Sequence, residues 1–230
     1  MTQLTVLSPA LNEAESLKTF LPSLKSQLEM IGVDFELLIV DGGSTDATEP
    51  IAKEHGARVI RQQSLGFGGA VRDGISAAKG EYILEMDADG SHPPEMAPIM
   101  WQARKNADLV IASRYMSGGA ADMSAFRYGL SWILNSVCRA WLGWRISDAS
   151  SGLRIYRAAA VKPLKLDATD FTIQQQTLAH ILAAGGTAAE VPFHYGERRG
   201  GASKARVLPL AASYFRMLFR LKAVLYTRKP

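Results

Sequence analysis

Cysteine is almost missing from this chain. Cys138 stands alone, so no intramolecular disulfide can form. That fits a reducing compartment and leaves Cys138 as a small core residue. Long apolar runs are missing too: no uninterrupted stretch reaches the roughly 18 residues that a membrane-spanning helix needs. The opening "MTQLTVLSPALNE" lacks the basic flank and apolar stretch of a secretory signal, so none is expected. Internal repeats and low-complexity tracts are absent. Acidic residues vanish from Arg198 onward, where nine Lys/Arg fall.

What is present suits one domain, or one domain with an appendage: 230 residues, 47% hydrophobic and 21% charged. The net charge of +4 hides an asymmetry. A mildly acidic body carries a basic C-terminal segment. Such a segment can seek nucleic acid, anionic lipid or phosphate.

Apolar runs and turn residues alternate along the first half. "LTVLS" from Leu4 reads as a strand, followed by a helix from about Asn12 to Leu28. "FELLIVD", Phe35 to Asp41, reads as a buried parallel strand. "ARVIR", "EYILEMD" and "ADLVIAS" are three more strands, separated by helical stretches. Pro93-Pro94 can open one of those helices. This alternation predicts an α/β domain with a mostly parallel sheet. Farther on, "MSAFRYGLSWILNSVCRAWLG" and "DFTIQQQTLAHILAAG" read as helices, "RISDASSGLRIYR" as a loop and "AAEVPFHY" as a strand.

Ligands of parallel α/β sheets bind beyond the carboxyl ends of the strands. Asn12-Glu13, Asp41 and the pair Asp87/Asp89 all fall there. Asp87 and Asp89 are one residue apart on an extended segment and point to the same side. They can share a hard cation, Mg²⁺ or Mn²⁺, which favours oxygen ligands and often bridges to phosphates. A plain turn is the competing reading. Glu85 falls inside the strand, and His92 reads as structural because the donor set is all oxygen. In "LGFGGAVRDG", Gly66 and Gly68 allow close backbone approach; the spacing does not fit a dinucleotide fingerprint. Arg72, one turn on, faces a diphosphate or solvent. "ERRGGASK" joins Arg198, Arg199 and Lys204 in a loop suited to phosphate oxygens.

Together these stretches resemble the inverting family-2 nucleotide-sugar glycosyltransferases. Within that family they are most similar to the dolichol-phosphate mannose synthase branch, which includes bacterial polyprenyl-phosphate glycosyltransferases. The carriers are "SPALNE" at 8–13, "VDGGSTDAT" at 40–48, "GFGGAVRDGISAAKGEYILEMDADGSHPPE" at 66–95, "ASRY" at 112–115, "SDASSGLRIYR" at 147–157 and "EVPFHYGERRGGASK" at 190–204. The resemblance implies a GT-A fold over 1–204 with Mg²⁺ or Mn²⁺ held by Asp87 and Asp89. It implies that Pro9, Asn12, Glu13 and Asp41 hold the nucleotide. Gly68, Arg72 and Ser91 are counted with the donor-binding set. Arg114, Arg198 and Lys204 match positions that meet the donor diphosphate or the acceptor phosphate, and with Asp89 form the expected catalytic group. Two departures stand out: Gly42 replaces the second acid of the usual "VDDxS", and Ser91 stands where mannose synthases often have Gln.

The expected reaction passes a hexose, mannose from GDP-mannose foremost, to a polyprenyl or dolichyl phosphate. A hydroxyl acceptor needs a general base. The stretch "DATDFTIQQQT" places glutamines where related enzymes carry acids, with Asp167 and Asp170 poorly placed. The basic loop favours an acceptor that is already an anion. Residues 205–230 read as a basic amphipathic helix lying in the lipid headgroup layer, with packing on the chain's own core as the competing reading. The expected location is therefore the cytoplasmic face of the membrane, held peripherally. Nucleic acid is not expected as a partner. A membrane-anchoring subunit and a homodimer are both left open.

Overall fold

The computed structural model describes residues 2–196 and a final helix at 207–226. A seven-stranded sheet forms the centre, in the order β3-β2-β1-β4-β7-β5-β8. Its first half comprises β1 (Leu4–Ala10), β2 (Phe35–Asp41), β3 (Arg58–Arg61) and β4 (Tyr82–Glu85), all parallel. Their β-branched and aliphatic runs suit burial on both faces, and Leu4, Leu38, Ile83 and Leu84 are fully enclosed. Between these strands run α1 (Ala14–Met30), α2 (Thr48–Glu54) and α3 (Gly66–Ala77). Helices cover both faces, giving two apolar layers, one under α1 and one under α3.

The second half departs from the all-parallel pattern. After α4 (Met96–Ala103), β5 (Leu109–Ser113) does not pair with β4. β7 (Arg154–Arg157) inserts between them and runs antiparallel to both. The sequence reading placed "RISDASSGLRIYR", which holds Arg154, in a loop. That Arg154 is fully buried, and it donates to the carbonyl oxygens of Ser151, Ala149 and Gln174. β8 (Ala188–Pro192) closes this side, parallel to β5. A two-residue ladder of β6 (Ala120–Ala121) and β9 (His194–Tyr195) stands apart.

The remaining helices are α5 (Ala125–Leu142), α6 (Ala158–Val161), α7 (Ile173–Ala183) and α8 (Val207–Tyr226). Part of the apolar surface of α8 packs on the domain itself. Tyr214, Met217, Leu218 and Leu221 are buried, and the Tyr214 hydroxyl donates to the Leu134 carbonyl on α5. Arg216 and Arg220 stay exposed, the latter 3.6 Å from Asp167. Among the described residues no helix is long and apolar enough to cross a membrane.

Candidate active site

A cavity of about 480 Å³ opens at the carboxyl ends of β1 and β4. Strand order reverses there, which is where open α/β sheets bind ligands. Pro9 and Glu13 line it from the β1 side and Asp87, Ala88 and Asp89 from the β4 side. The loop before α7 closes it with Thr169, Asp170 and Phe171.

The acid pair is held in place by its neighbours. The Asp87 N–H donates to His92 Nδ1 at 2.8 Å, and His92 Nε2 stands 3.8 Å from Asp87 Oδ2. The edges of Phe193 and Tyr195 meet the His92 ring, so its orientation is packed as well as bonded. Asp89 Oδ1 accepts the Ser91 N–H at 3.0 Å and the Ser91 hydroxyl at 2.5 Å. Gly196 N–H donates to the Ser91 carbonyl, so the chain entering the basic loop is tied to the acid-pair loop.

Beneath the pair, Glu85 is fully buried. It accepts from the Tyr156 hydroxyl at 3.0 Å and from Gln174 Nε2 at 2.5 Å. Burial pushes its carboxyl up to about 7; the Arg154 guanidinium and the Gln174 amide pull it down, and the Asp87 charge adds to the rise. Glu85 ties β4, β7 and the first turn of α7 together and does not line the cavity.

Several expected donor-binding residues turn out to serve the protein's own backbone. Asp41 accepts the N–H groups of Gly43 and Ser44. Asn12, at φ 56, accepts the Thr45 N–H, while its own N–H donates to Ser44 Oγ. These two side chains pin the β1–α1 and β2–α2 loops to each other, and neither lines the cavity. Ser91 is fully buried, and its hydroxyl braces Asp89. Arg72 donates to the Ala168 carbonyl and is not among the residues lining the cavity. Gly68 does permit a close approach, but to this chain: a Cβ there would lie 2.3 Å from the Ala168 oxygen, and its N–H donates to Thr169 O.

Arg114 is likewise held by groups of the chain itself. Its guanidinium makes a forked pair with buried Asp148, at 2.7 and 2.8 Å, and donates to Ser150 Oγ. Burial opposes its charge, but Asp148 outweighs burial and holds it ionised. Asp148 N–H and Ser147 donate in turn to Glu190, so this arginine anchors the 147–152 loop. Arg198 and Lys204 lie outside the described residues.

Other residues enter the site without having been expected there. Phe67 and Phe171 stack at 4.5 Å along one wall. A phenylalanine set between glycines in "GFGG" was the one available signal. Gln62 lines the cavity, with its amide donating to Ser64 and Gly66 carbonyls. Asp170, judged poorly placed from sequence, stands on the cavity wall; its Oδ1 accepts the N–H and hydroxyl of Thr172 at the entry to α7.

Among the described residues no group of three His, Cys, Asp or Glu gathers as a metal site. Two carboxylates with no soft ligand fit a hard cation that completes its shell with water and substrate oxygens. The donor chemistry therefore suits Mg²⁺ or Mn²⁺.

Residues 5–164 match the model for glycosyl transferase family 2. The chain is 33% identical to an undecaprenyl-phosphate mannosyltransferase of Micrococcus luteus, across 89% of this chain and 87% of that one. It is 32% identical to a dolichol-phosphate mannosyltransferase of Pyrococcus furiosus, across 95% of this chain and 63% of the relative's length. In fold it is similar to glucosyl-3-phosphoglycerate synthase from Mycobacterium tuberculosis, with a TM-score of 0.71 and 21% identity, covering 99% of this chain and 80% of that one. Another structure of that enzyme contains Mn²⁺, UDP and glucosyl-3-phosphoglycerate, and aligns with a TM-score of 0.69 at 21% identity over the same shares.

Proposed function

Because the chain belongs to glycosyl transferase family 2, we propose that it moves a hexose from a nucleotide-diphosphate sugar to the phosphate of a polyprenyl or dolichyl lipid. GDP-mannose is the proposed donor, with UDP-glucose next. Two relatives similar over most of this chain are named for mannosyl transfer to such lipids, which supports the reading. Asp87 and Asp89 are the proposed holders of Mg²⁺ or Mn²⁺. When bound, that ion offsets the charge that builds on the leaving diphosphate.

The rest falls to the chain and the acceptor. An acceptor phosphate oxygen attacks the anomeric carbon, the bond from that carbon to the diphosphate breaks with inversion, and the nucleoside diphosphate departs. Pro9, Glu13 and the Phe67–Phe171 wall enclose the donor. Arg198 and Lys204 are proposed to position the acceptor phosphate. His92 and Ser91 keep the two carboxylates aimed into the cavity.

The observation that carries the acceptor class lies at the start of α7. Gln174 and Gln175 are buried there, and Gln174 is committed to Glu85. A phosphate monoester is already an anionic nucleophile and needs no base from this turn. A hydroxyl acceptor is the second reading, favoured by Asp170 on the cavity wall. Radiolabelled donor with undecaprenyl phosphate and Mn²⁺ tests the first: a mild-acid-labile labelled lipid is expected. Absence of that product across a panel of donors would overturn it. Asp170→Asn separates the two, since Asn still caps a helix well. Near-normal turnover is expected for a phosphate acceptor, and a loss of about 100-fold or more for a hydroxyl acceptor.

A further inference from the structure

Gln62 directly follows β3 and lines the cavity three strands away from the acid pair. Its N–H donates to the Asp41 carbonyl, which extends the β2–β3 ladder by one step. Its side-chain amide is fixed by its neighbours. Nε2 donates to the Ser64 carbonyl and, at 2.8 Å, to the Gly66 carbonyl. Only the NH₂ side of an amide can meet two carbonyls, so these partners set which way the amide is turned. Both of its N–H groups are then used. The turn that carries the carbonyls is itself pinned, because Asp73 on α3 accepts the N–H and the hydroxyl of Ser64.

That leaves Oε1, a neutral acceptor with a set direction. It lies beside Gly42, where a Cβ would stand 3.2 Å from it, and Gly42 lines the same cavity. A larger residue at 42 would cover this oxygen, and glycine leaves it open. Among the described residues the hydrogen bonds of this amide are the two that its nitrogen donates.

We infer that Gln62 Oε1 reads the base of the nucleotide-sugar donor by accepting an imino N–H, which guanine carries at N1 and uracil at N3. The spacing across the sheet supports this. β2 and β1 separate β3 from β4, so about 14 Å lies between the ends of the outer two strands. An extended nucleoside diphosphate covers a span of that order. With its diphosphate beside Asp87 and Asp89, its base reaches the Gly42–Gln62 end of the cavity. Adenine N1 and cytosine N3 carry a lone pair at the equivalent place. Against Oε1 they would set acceptor to acceptor, and a site built around a hydrogen bond rejects an analogue that cannot make it. The inference rests on the proposed function in seating the diphosphate at the acid pair. It goes beyond that reading in naming the atom that selects the base.

Titration calorimetry with Mn²⁺ and GDP, UDP, ADP and CDP tests it. The wild type is expected to bind GDP or UDP about tenfold or more tightly than ADP and CDP, and the better of the two identifies the base. Methylation of that base at its imino nitrogen, as N1-methyl-GDP or N3-methyl-UDP, should weaken binding by a similar factor. This comparison needs no variant. Gln62→Met keeps the length of the side chain and removes the acceptor. It should shrink both the preference over ADP and CDP and the loss on methylation to about twofold or less. A wild type indifferent to the base, or one that prefers ADP or CDP, would overturn the inference and leave the transferase reading standing. Gln62→Met weakening all four nucleotides by one common factor would also overturn it, since that is the mark of a residue that only braces the 64–66 turn. Failure of the wild type to bind any nucleoside diphosphate with Mn²⁺ would overturn the inference and the proposed donor class together.

Discussion

Asp89 is the residue on which the chemistry is expected to turn. It is buried, lines the cavity and has one oxygen taken by Ser91. Asp89→Ala should lower turnover with Mn²⁺ by 100-fold or more and weaken Mn²⁺-dependent binding of nucleoside diphosphate, measurable by titration calorimetry. His92→Ala should act through Asp87. Removing the ring takes the acceptor from the part-buried Asp87 N–H, at a cost of about 1 kcal/mol. Denaturant unfolding checks that figure, and His92→Asn should recover part of it. The acid pair was legible from sequence because alternate residues on a strand end must share a side. Asp41, Asn12, Ser91, Arg72 and Arg114 were legible as polar and near the site, but not in their direction. The type of a side chain does not say whether it will bond a ligand or the loop beside it. Five of these residues bond the loops.

At the scale of elements, close packing between α3 and the loop before α7 depends on Gly68. Its Cβ would meet backbone oxygens at 2.3 and 2.9 Å, and backbone cannot swing aside as a side-chain tip can. Gly68→Ala should destabilise the fold by about 1–3 kcal/mol, read from the urea midpoint. The contact between β1, β2 and β3 carries a pH signature. Glu36 accepts from Thr5, from the Lys79 N–H and from Arg58. Burial raises its pKa, but these bonds and the Arg58 charge outweigh burial and lower it overall. Its stabilising contribution is therefore complete above the unfolded carboxylate range and is lost as pH falls through the lower, folded value. The urea midpoint of Glu36→Gln should lie below wild type at pH 7 and approach it in acid. Strands β1 to β5 were legible because their apolar runs fit only a buried sheet. The strand β7 was read into a loop; Arg154 takes its partners from the turn just before it and from Gln174 on α7, 20 residues on. The spacing in α5 gave its helical character and Cys138 was read as a core residue, but nothing in the sequence marked Asn135 as the second anchor beside so many aromatics.

For the whole molecule, α8 is part of the core. It brings Tyr214, Met217, Leu218 and Leu221 under cover beside α5 and α7. Each fully buried apolar side chain contributes about 1.5–3 kcal/mol. Their sum is a large share of the roughly 5–15 kcal/mol by which a domain is stable. A chain ending before Val207 should therefore bind hydrophobic dyes and precipitate near room temperature, as dye fluorescence and light scattering would register. An apolar helix face with interspersed cations satisfies a bilayer and a protein core equally well. For that reason sequence alone could not place α8, and only the packing did.

The late arrival of β7 has a consequence for synthesis. Glu85 and its partner Tyr156 are 71 residues apart. At about 5–20 residues per second, β4 waits several seconds on the ribosome with one side of its ladder open. An open, apolar strand edge invites pairing with any other nascent chain. The Glu85 carboxylate, at the last residue of β4, gains its arginine and tyrosine only when β7 arrives. Glu85 thus depends on a partner that the chain supplies only 71 residues later.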